Sequence, residues 1–391
     1  MKILIIGAGM YVTGRNNTGP GTVLCSIAEL SKSQQIDEVI VAARSAKNKQ
    51  HVSEAANRIN NLLGTDLAVS YRRINGSADI SDLHNEYQFD SALVSIPDHL
   101  HFEYTAVCLQ LSIPSLVVKP LTPTLEENKQ LIQLQEKHDV YAAVEFHKRW
   151  DETNLITQRY IQEGKLGKLL YYEVGYSQKI SIPLETFKSW SHLTNIFQYL
   201  GVHYVDLFYF LAENYQPIRC SAIGTNGILK EKGLDTYDSV HVTLEWAHKL
   251  DAEDKVVSVF NTNWIDPNET SAMSDQRYKV IGTKGRMEVD QKHRGLEYVS
   301  QDEGIQHLNP YFSEFLPDEN GATEYQGYGH KSISRFFKDV QDLKDGLTNR
   351  EKLHKTRPDL THSAISTAVV EAVNVSLSKN GNWINVKKLI L

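Results

Sequence analysis

Two glycines, Gly7 and Gly9, follow the short apolar run Ile3–Ile6 and precede a stretch with helical periodicity. A strand that ends in such a turn lets the backbone approach a pyrophosphate, whose charge the next helix N-terminus favours. The third glycine of that fingerprint is displaced, because Val12 takes its place and the next glycine is Gly14. The second expected strand ends in Arg44, Ser45 and Lys47, with no carboxylate to accept from ribose hydroxyls. A guanidinium with a hydroxyl beside it suits the extra phosphate of NADP, so the expected cofactor is NAD(P), with NADP preferred.

Lys119 follows the apolar run Ser115–Val118, at the ligand-facing end of an expected strand. Oxidising an alcohol with a nicotinamide needs hydride loss from carbon and proton loss from the hydroxyl. A lysine beside a cationic ring has its pKa lowered enough to take that proton. His203 lies in the apolar helical pattern of residues 195–211, with Tyr199, His203 and Asp206 at i, i+4 and i+7 on one face. An imidazole there can bond the reacting hydroxyl and pass its proton on. His99 and His101 stand two apart with no cysteine or carboxylate cluster to complete a site, so no metal is expected.

The elements that must position these groups alternate over residues 1–146. Strand patterns at residues 2–7, 37–44, 90–97, 115–120 and 140–146 are separated by helical ones, which predicts a doubly wound parallel α/β sheet. Residues 147–391 form a second domain of α+β type. There Val240, Val242, Leu244 and Trp246 alternate with His241, Thr243 and Glu245, and further strands joined by Gly-rich turns predict a large open, mostly antiparallel sheet. Residues Tyr11 to Gly21 exceed a tight turn, so an extended loop is expected before a helix beginning near Thr22, with Thr13, Arg15 or Asn16 touching phosphate or substrate.

Composition sets the outer bounds. A chain of 391 residues exceeds one hydrophobic core, and 41% apolar with 23% charged residues is ordinary for a globular protein. The net charge of −7, without a basic arm, excludes a general nucleic-acid binder. Cys25, Cys108 and Cys220 lack metal-ligand spacing and read as packed thiols. The apolar run after Lys2 stops at Gly7, too short for a signal-peptide core, and no stretch approaches a membrane span, so the expected compartment is the cytoplasm.

The ordered motifs resemble the Gfo/Idh/MocA oxidoreductases, a family acting mainly on sugars and polyols. The resemblance rests on Pro97, Asp98 and His101 for a Pro-Asn-x-x-His turn, and on Val118, Lys119 and Pro120 for Glu-Lys-Pro. It extends through "EFHKRW", "GKLGKLL", Gly201, His203 and Asp206, "GTKGRMEV" and the late helix of residues 366–381. It implies cofactor contacts at Gly7, Gly9, Met10, Tyr11, Arg44, Ser45, Ile96, Pro97, His101 and Lys119. It also implies Lys119 and His203 as proton-handling residues, with Tyr199 where the family has aspartate; either Tyr199 bonds substrate or Asp206 orients the imidazole. Arg149 and Trp150 at the domain junction, with Tyr176, Trp190, Tyr199, His203 and Asp206, offer rings and donors to a polyhydroxylated substrate. Lys188 and His330 are further candidates. The expected protein is thus an NAD(P)-dependent dehydrogenase of a sugar, polyol or sugar derivative. An NAD-dependent redox-assisted glycosidase and a non-catalytic regulator are the alternatives, and association is expected as a homo-dimer or homo-tetramer.

Overall fold

The computed structural model describes residues 1–14 and 19–390. These residues divide into two compact units. The first comprises residues 1–122, 126–151 and 311–363; the second comprises 123–125, 152–310 and 364–391. The segment 311–363, expected with the second domain, therefore packs with the first unit. Arg149 and Trp150 belong to the first unit as well.

In the first unit, strands β1 (Lys2–Ile6), β2 (Glu38–Ala43), β3 (Val69–Arg73), β4 (Ser91–Val94), β5 (Ser115–Val118) and β6 (Ala142–Glu145) form one parallel sheet in the order β3-β2-β1-β4-β5-β6. β1, β2 and β4 are buried almost throughout, as strands covered on both faces must be. The order reverses between β1 and β4, and a crevice at the carboxyl ends of the strands is the usual ligand position in such a sheet.

The helix after β1 is split. Met10–Thr13 (α1) makes one turn, the chain departs at Gly14, and a helix resumes at Thr22–Ser31 (α2). Tyr11 to Thr13 are thus helical, which corrects the extended loop expected over Tyr11–Gly21. Val12 is fully buried in the core with Val23, Leu24 and Ile27, and this apolar anchorage holds the first turn in place. Gly21 returns the chain tightly against α1, since a Cβ there would lie 2.2 Å from the Val12 carbonyl oxygen. Helical geometry therefore starts beside Gly9 and is taken up again at Thr22. Arg15 and Asn16 lie outside the described residues.

The reason for the non-contiguous unit is apolar. The helix Tyr328–Lys344 places Ile333, Phe336, Phe337 and Val340 in the same core as α2 and the strands β1 and β2. Lys32 on α2's end donates to the Thr323 carbonyl, and Tyr325 N–H donates to Glu29, so the strand Thr323–Gln326 is tied to the end of α2.

The second unit holds helix α3 (Glu152–Gln162), strand β7 (Leu169–Lys179), helix α4 (Val202–Leu211) and strands β8 (Tyr215–Thr225), β9 (Ser239–His248), β10 (Asp251–Asp266), β11 (Ser274–Gly282) and β12 (Arg286–Asp290). The sheet order is β12-β11-β7-β10-β9-β8, followed by the short strand Ile384–Asn385. All neighbours are antiparallel except β7 and β10. Along β9, Val240, Val242, Leu244 and Trp246 are buried and His241 is exposed, so the period-two pattern faces the core as read. Among the described residues no helix is long and apolar enough to cross a membrane.

Candidate active site

Gly7 has φ +111°, and a Cβ on it would lie 2.0 Å from the Ser95 carbonyl oxygen at the end of β4. Only glycine tolerates both conditions. Gly9 differs: a Cβ there would meet nothing within 4 Å, so the turn opens onto free space at the start of α1. Met10 lies half-buried beside it. This open cradle at the sheet's reversal point, with a helix start behind it, fits a dinucleotide pyrophosphate.

Arg44 and Ser45 are exposed at the end of β2. Their backbone is fixed by β3: Tyr71 hydroxyl donates to the Ser45 carbonyl at 2.7 Å, and Arg73 Nε donates to the Arg44 carbonyl at 3.2 Å. Ala43 pairs with Arg73 across the two strands, so a second guanidinium joins the Arg44 region. Sequence reading missed Arg73, whose relevance comes only from strand pairing.

Lys119 follows β5, and Val118 pairs with Glu145 on β6. Lys119 is half-buried by surface area yet densely packed, and this desolvation pulls its ammonium down to about 7. The Glu145 and Asp98 carboxylates act in the opposite sense and favour the charged form. Glu145 is itself only 2% exposed; it accepts from Ser332 Oγ at 2.6 Å and faces His147 Nδ1 at 3.1 Å. The Tyr11 hydroxyl is buried, and desolvation with the Glu145 charge pushes it well above the ordinary phenol value. Tyr11 therefore turns into the unit's interior. A titratable amine held near neutrality by burial between two carboxylates has the properties of a proton-transfer group.

His101 is 1% exposed, with Nδ1 at 2.7 Å from the Pro120 carbonyl and Nε2 at 2.8 Å from the Ile96 carbonyl. These contacts hold it at the ends of β4 and β5, beside Ile96, Pro97 and Lys119. Thr13 is fully buried with its hydroxyl on helix carbonyls, at 3.3 Å from Gly9 O, and offers nothing outward. Arg149 lies with its guanidinium 6.0 Å from the Phe146 ring, and Trp150 is half-buried beside it in the single turn His147–Trp150. His330 is pushed down to about 4, first by burial and then by Lys338 and Lys331, so its ring is neutral near pH 7.

The second unit gathers its own candidates. Trp190 and Tyr199 meet edge-on at 6.0 Å, with Phe187 5.0 Å from Tyr199 and the Trp264 ring at 6.4 Å. Lys188 is exposed. Tyr199 stands in a π-type turn, Phe197–Gly201, that runs into α4, where His203 and Asp206 are 3% and 2% exposed. Such wide turns occur frequently at functional positions. Tyr176 is buried edge-on to Tyr204 at 5.6 Å, and burial pushes its phenol up to about 12.

Residues 66–146 match a family model described as "Oxidoreductase family, NAD-binding Rossmann fold", and residues 156–288 match the "GFO/IDH/MocA C-terminal domain". Together they span more than half of the chain. The chain belongs to the GFO/IDH/MocA oxidoreductase family. The NADP⁺-dependent scyllo-inositol 2-dehydrogenase IolW of Bacillus subtilis is 26% identical over 175 residues, 44% of this chain and 47% of the relative. The NAD⁺-dependent scyllo-inositol 2-dehydrogenase of the same organism is 25% identical over 201 residues, 50% of this chain and 54% of the relative. The chain thus spans about half the length of these curated relatives. A crystal structure of scyllo-inositol dehydrogenase from Lactobacillus casei, with bound NAD(H) and scyllo-inositol, has a TM-score of 0.67 at 14% identity, covering 99% of both chains. At that identity the match establishes the GFO/IDH/MocA fold for this chain. Lys119 and the Gly7 turn lie in the first unit of that fold, and His203 lies in the second.

Proposed function

We propose that this chain is an NAD(P)-dependent dehydrogenase that oxidises a secondary alcohol of a cyclic polyol or sugar. The observation that carries the reading is Lys119, whose amine is held near neutrality at the carboxyl end of the parallel sheet. Relatives acting on scyllo-inositol support a cyclic polyol as substrate class. A bound nicotinamide supplies the hydride acceptor. Neutral Lys119 would take the proton from the hydroxyl oxygen as hydride leaves the carbon bearing that oxygen, and Glu145 and Asp98 would stabilise the resulting ammonium. His203 is the second proton-handling group in this reading, by its likeness to the family's histidine. The Trp190–Tyr199 pair supplies ring surface for the C–H face of a polyol.

The test is a spectrophotometric screen of NAD and NADP against inositol isomers, hexoses and anhydrosugars. Turnover is expected with at least one cyclic polyol. No nicotinamide reduction by any of them, in a protein that still binds dinucleotide, overturns the reading.

Our proposed cofactor preference is NADP, on the exposed Arg44, Ser45 and Arg73, whose groups suit a 2′-phosphate. Arg44→Ala is expected to raise KM for NADP roughly ten-fold or more, the loss of one charge-assisted contact, with KM for NAD nearly unchanged. Equal effects on both dinucleotides would count against it.

A further inference from the structure

We infer that His354, Asp359 and His362 form a binding site for one zinc-type transition-metal cation in the first unit. His354 lies on the helix Arg350–Thr356, and Asp359 and His362 open the helix Leu360–Ser378. One donor atom from each residue falls within 4.8 Å of the other two. The Asp359 side chain is 3% exposed, and an imidazole nitrogen stands at each of its oxygens: His362 Nδ1 at 2.8 Å from Oδ1, and His354 Nδ1 beside Oδ2.

The chemistry of the set selects the ion. Two imidazoles and one carboxylate suit zinc, which takes such ligands at about 2.0–2.2 Å and completes its four positions with water. Magnesium and calcium prefer all-oxygen cages and have no use for two nitrogens. A competing account is that Asp359 is only a helix cap, since its Oδ1 also accepts the His362 backbone N–H at 2.9 Å. That account leaves the adjoining cavity unexplained. This cavity, about 200 Å³, is lined by His354 and Asp359 together with Gln135, Glu136, Tyr141 and Glu351. The Tyr141 hydroxyl and Gln135 Oε1 are buried there without a hydrogen-bond partner, and Tyr141 is only 4% exposed. A cation-bound water is a strong donor and would satisfy such acceptors. Glu136 on the wall favours a cation, whereas Glu351 is engaged by Lys355 and Arg350 by Asp139.

The site has a structural consequence. Asp359 makes a backbone bridge to Ala143 on β6, the strand that carries Glu145 toward Lys119. A cation joining His354 to Asp359 would tie the helix Arg350–Thr356 to the sheet's last strand. Metal would then raise the stability of the first unit by binding only the folded form.

The experiment uses the full chain, with any affinity tag removed and metal stripped by chelator. Calorimetric titration with zinc sulfate is expected to show one site per chain. Cobalt(II) should give visible absorption of tetrahedral type, and magnesium and calcium should give no heat. His354→Gln and His362→Gln are each expected to weaken zinc at least ten-fold, the range seen when a site loses one ligand or its support. His354 is half-exposed on the surface, so its variant should fold, with a circular dichroism spectrum like that of the unaltered chain. Zinc should raise the melting temperature of the unaltered chain and not that of either variant. No saturable zinc binding, or the same affinity in both variants, overturns the assignment.

Discussion

Lys119→Ala is expected to lower kcat for alcohol oxidation by roughly 10²- to 10⁴-fold, the ordinary contribution of a positioned proton acceptor, while dinucleotide affinity stays near that of the unaltered chain. The pH profile carries the sharper test. The neutral amine is the reactive form, so kcat/KM for oxidation should rise as pH passes through about 7, where burial has brought the Lys119 ammonium. Glu145 favours the charged form. Glu145→Gln removes that charge and should therefore move the rise to lower pH. A purely structural role for Glu145, through Ser332 and His147, would reduce activity without moving the profile. Full activity in Lys119→Ala would remove this residue from the mechanism.

The parts of this arrangement that were legible in sequence are those written locally. The apolar strand runs, the helices between them, the Gly7–Gly9 turn and the position of Lys119 after Ser115–Val118 all follow from short-range pattern. Alternation along β9 gave its buried face for the same reason, since side chains of a strand point to opposite sides in turn. What was not legible depends on contacts between distant segments. Arg73 acquires meaning only through its pairing with Ala43. Glu145 left one trace, a single carboxylate in the otherwise apolar stretch "VYAAVEF", yet its partner Ser332 lies 187 residues further on. His101, read as a cofactor contact, is buried with a backbone carbonyl near each ring nitrogen, which no local pattern shows. The split of the first helix was half legible: the distance from Gly9 to Thr22 showed extra residues, but not that Val12 would anchor a turn before them.

The segment 311–363 is the largest departure from contiguity, and its energetic weight is testable. Phe337 is completely buried, edge-on to Phe336 at 5.4 Å, in the core that includes Val23, Leu24, Ile27, Val39 and Val41. Phe337→Ala removes most of a ring from a close-packed interior and should destabilise the first unit by about 3–5 kcal/mol. The measurement is amide hydrogen exchange read by segment. Protection should fall over β1, β2 and α2, while β8, β9 and β10 of the second unit keep theirs. Because the Gly7 turn joins β1 to α1, dinucleotide binding should weaken with that loss, and added dinucleotide should restore part of the protection by binding only the folded form. If protection were lost over β8–β10 instead, this segment would serve the second unit's core. The position of Glu145 and Lys119 at the edge of β6 and β5 would then need another support than the helix Tyr328–Lys344.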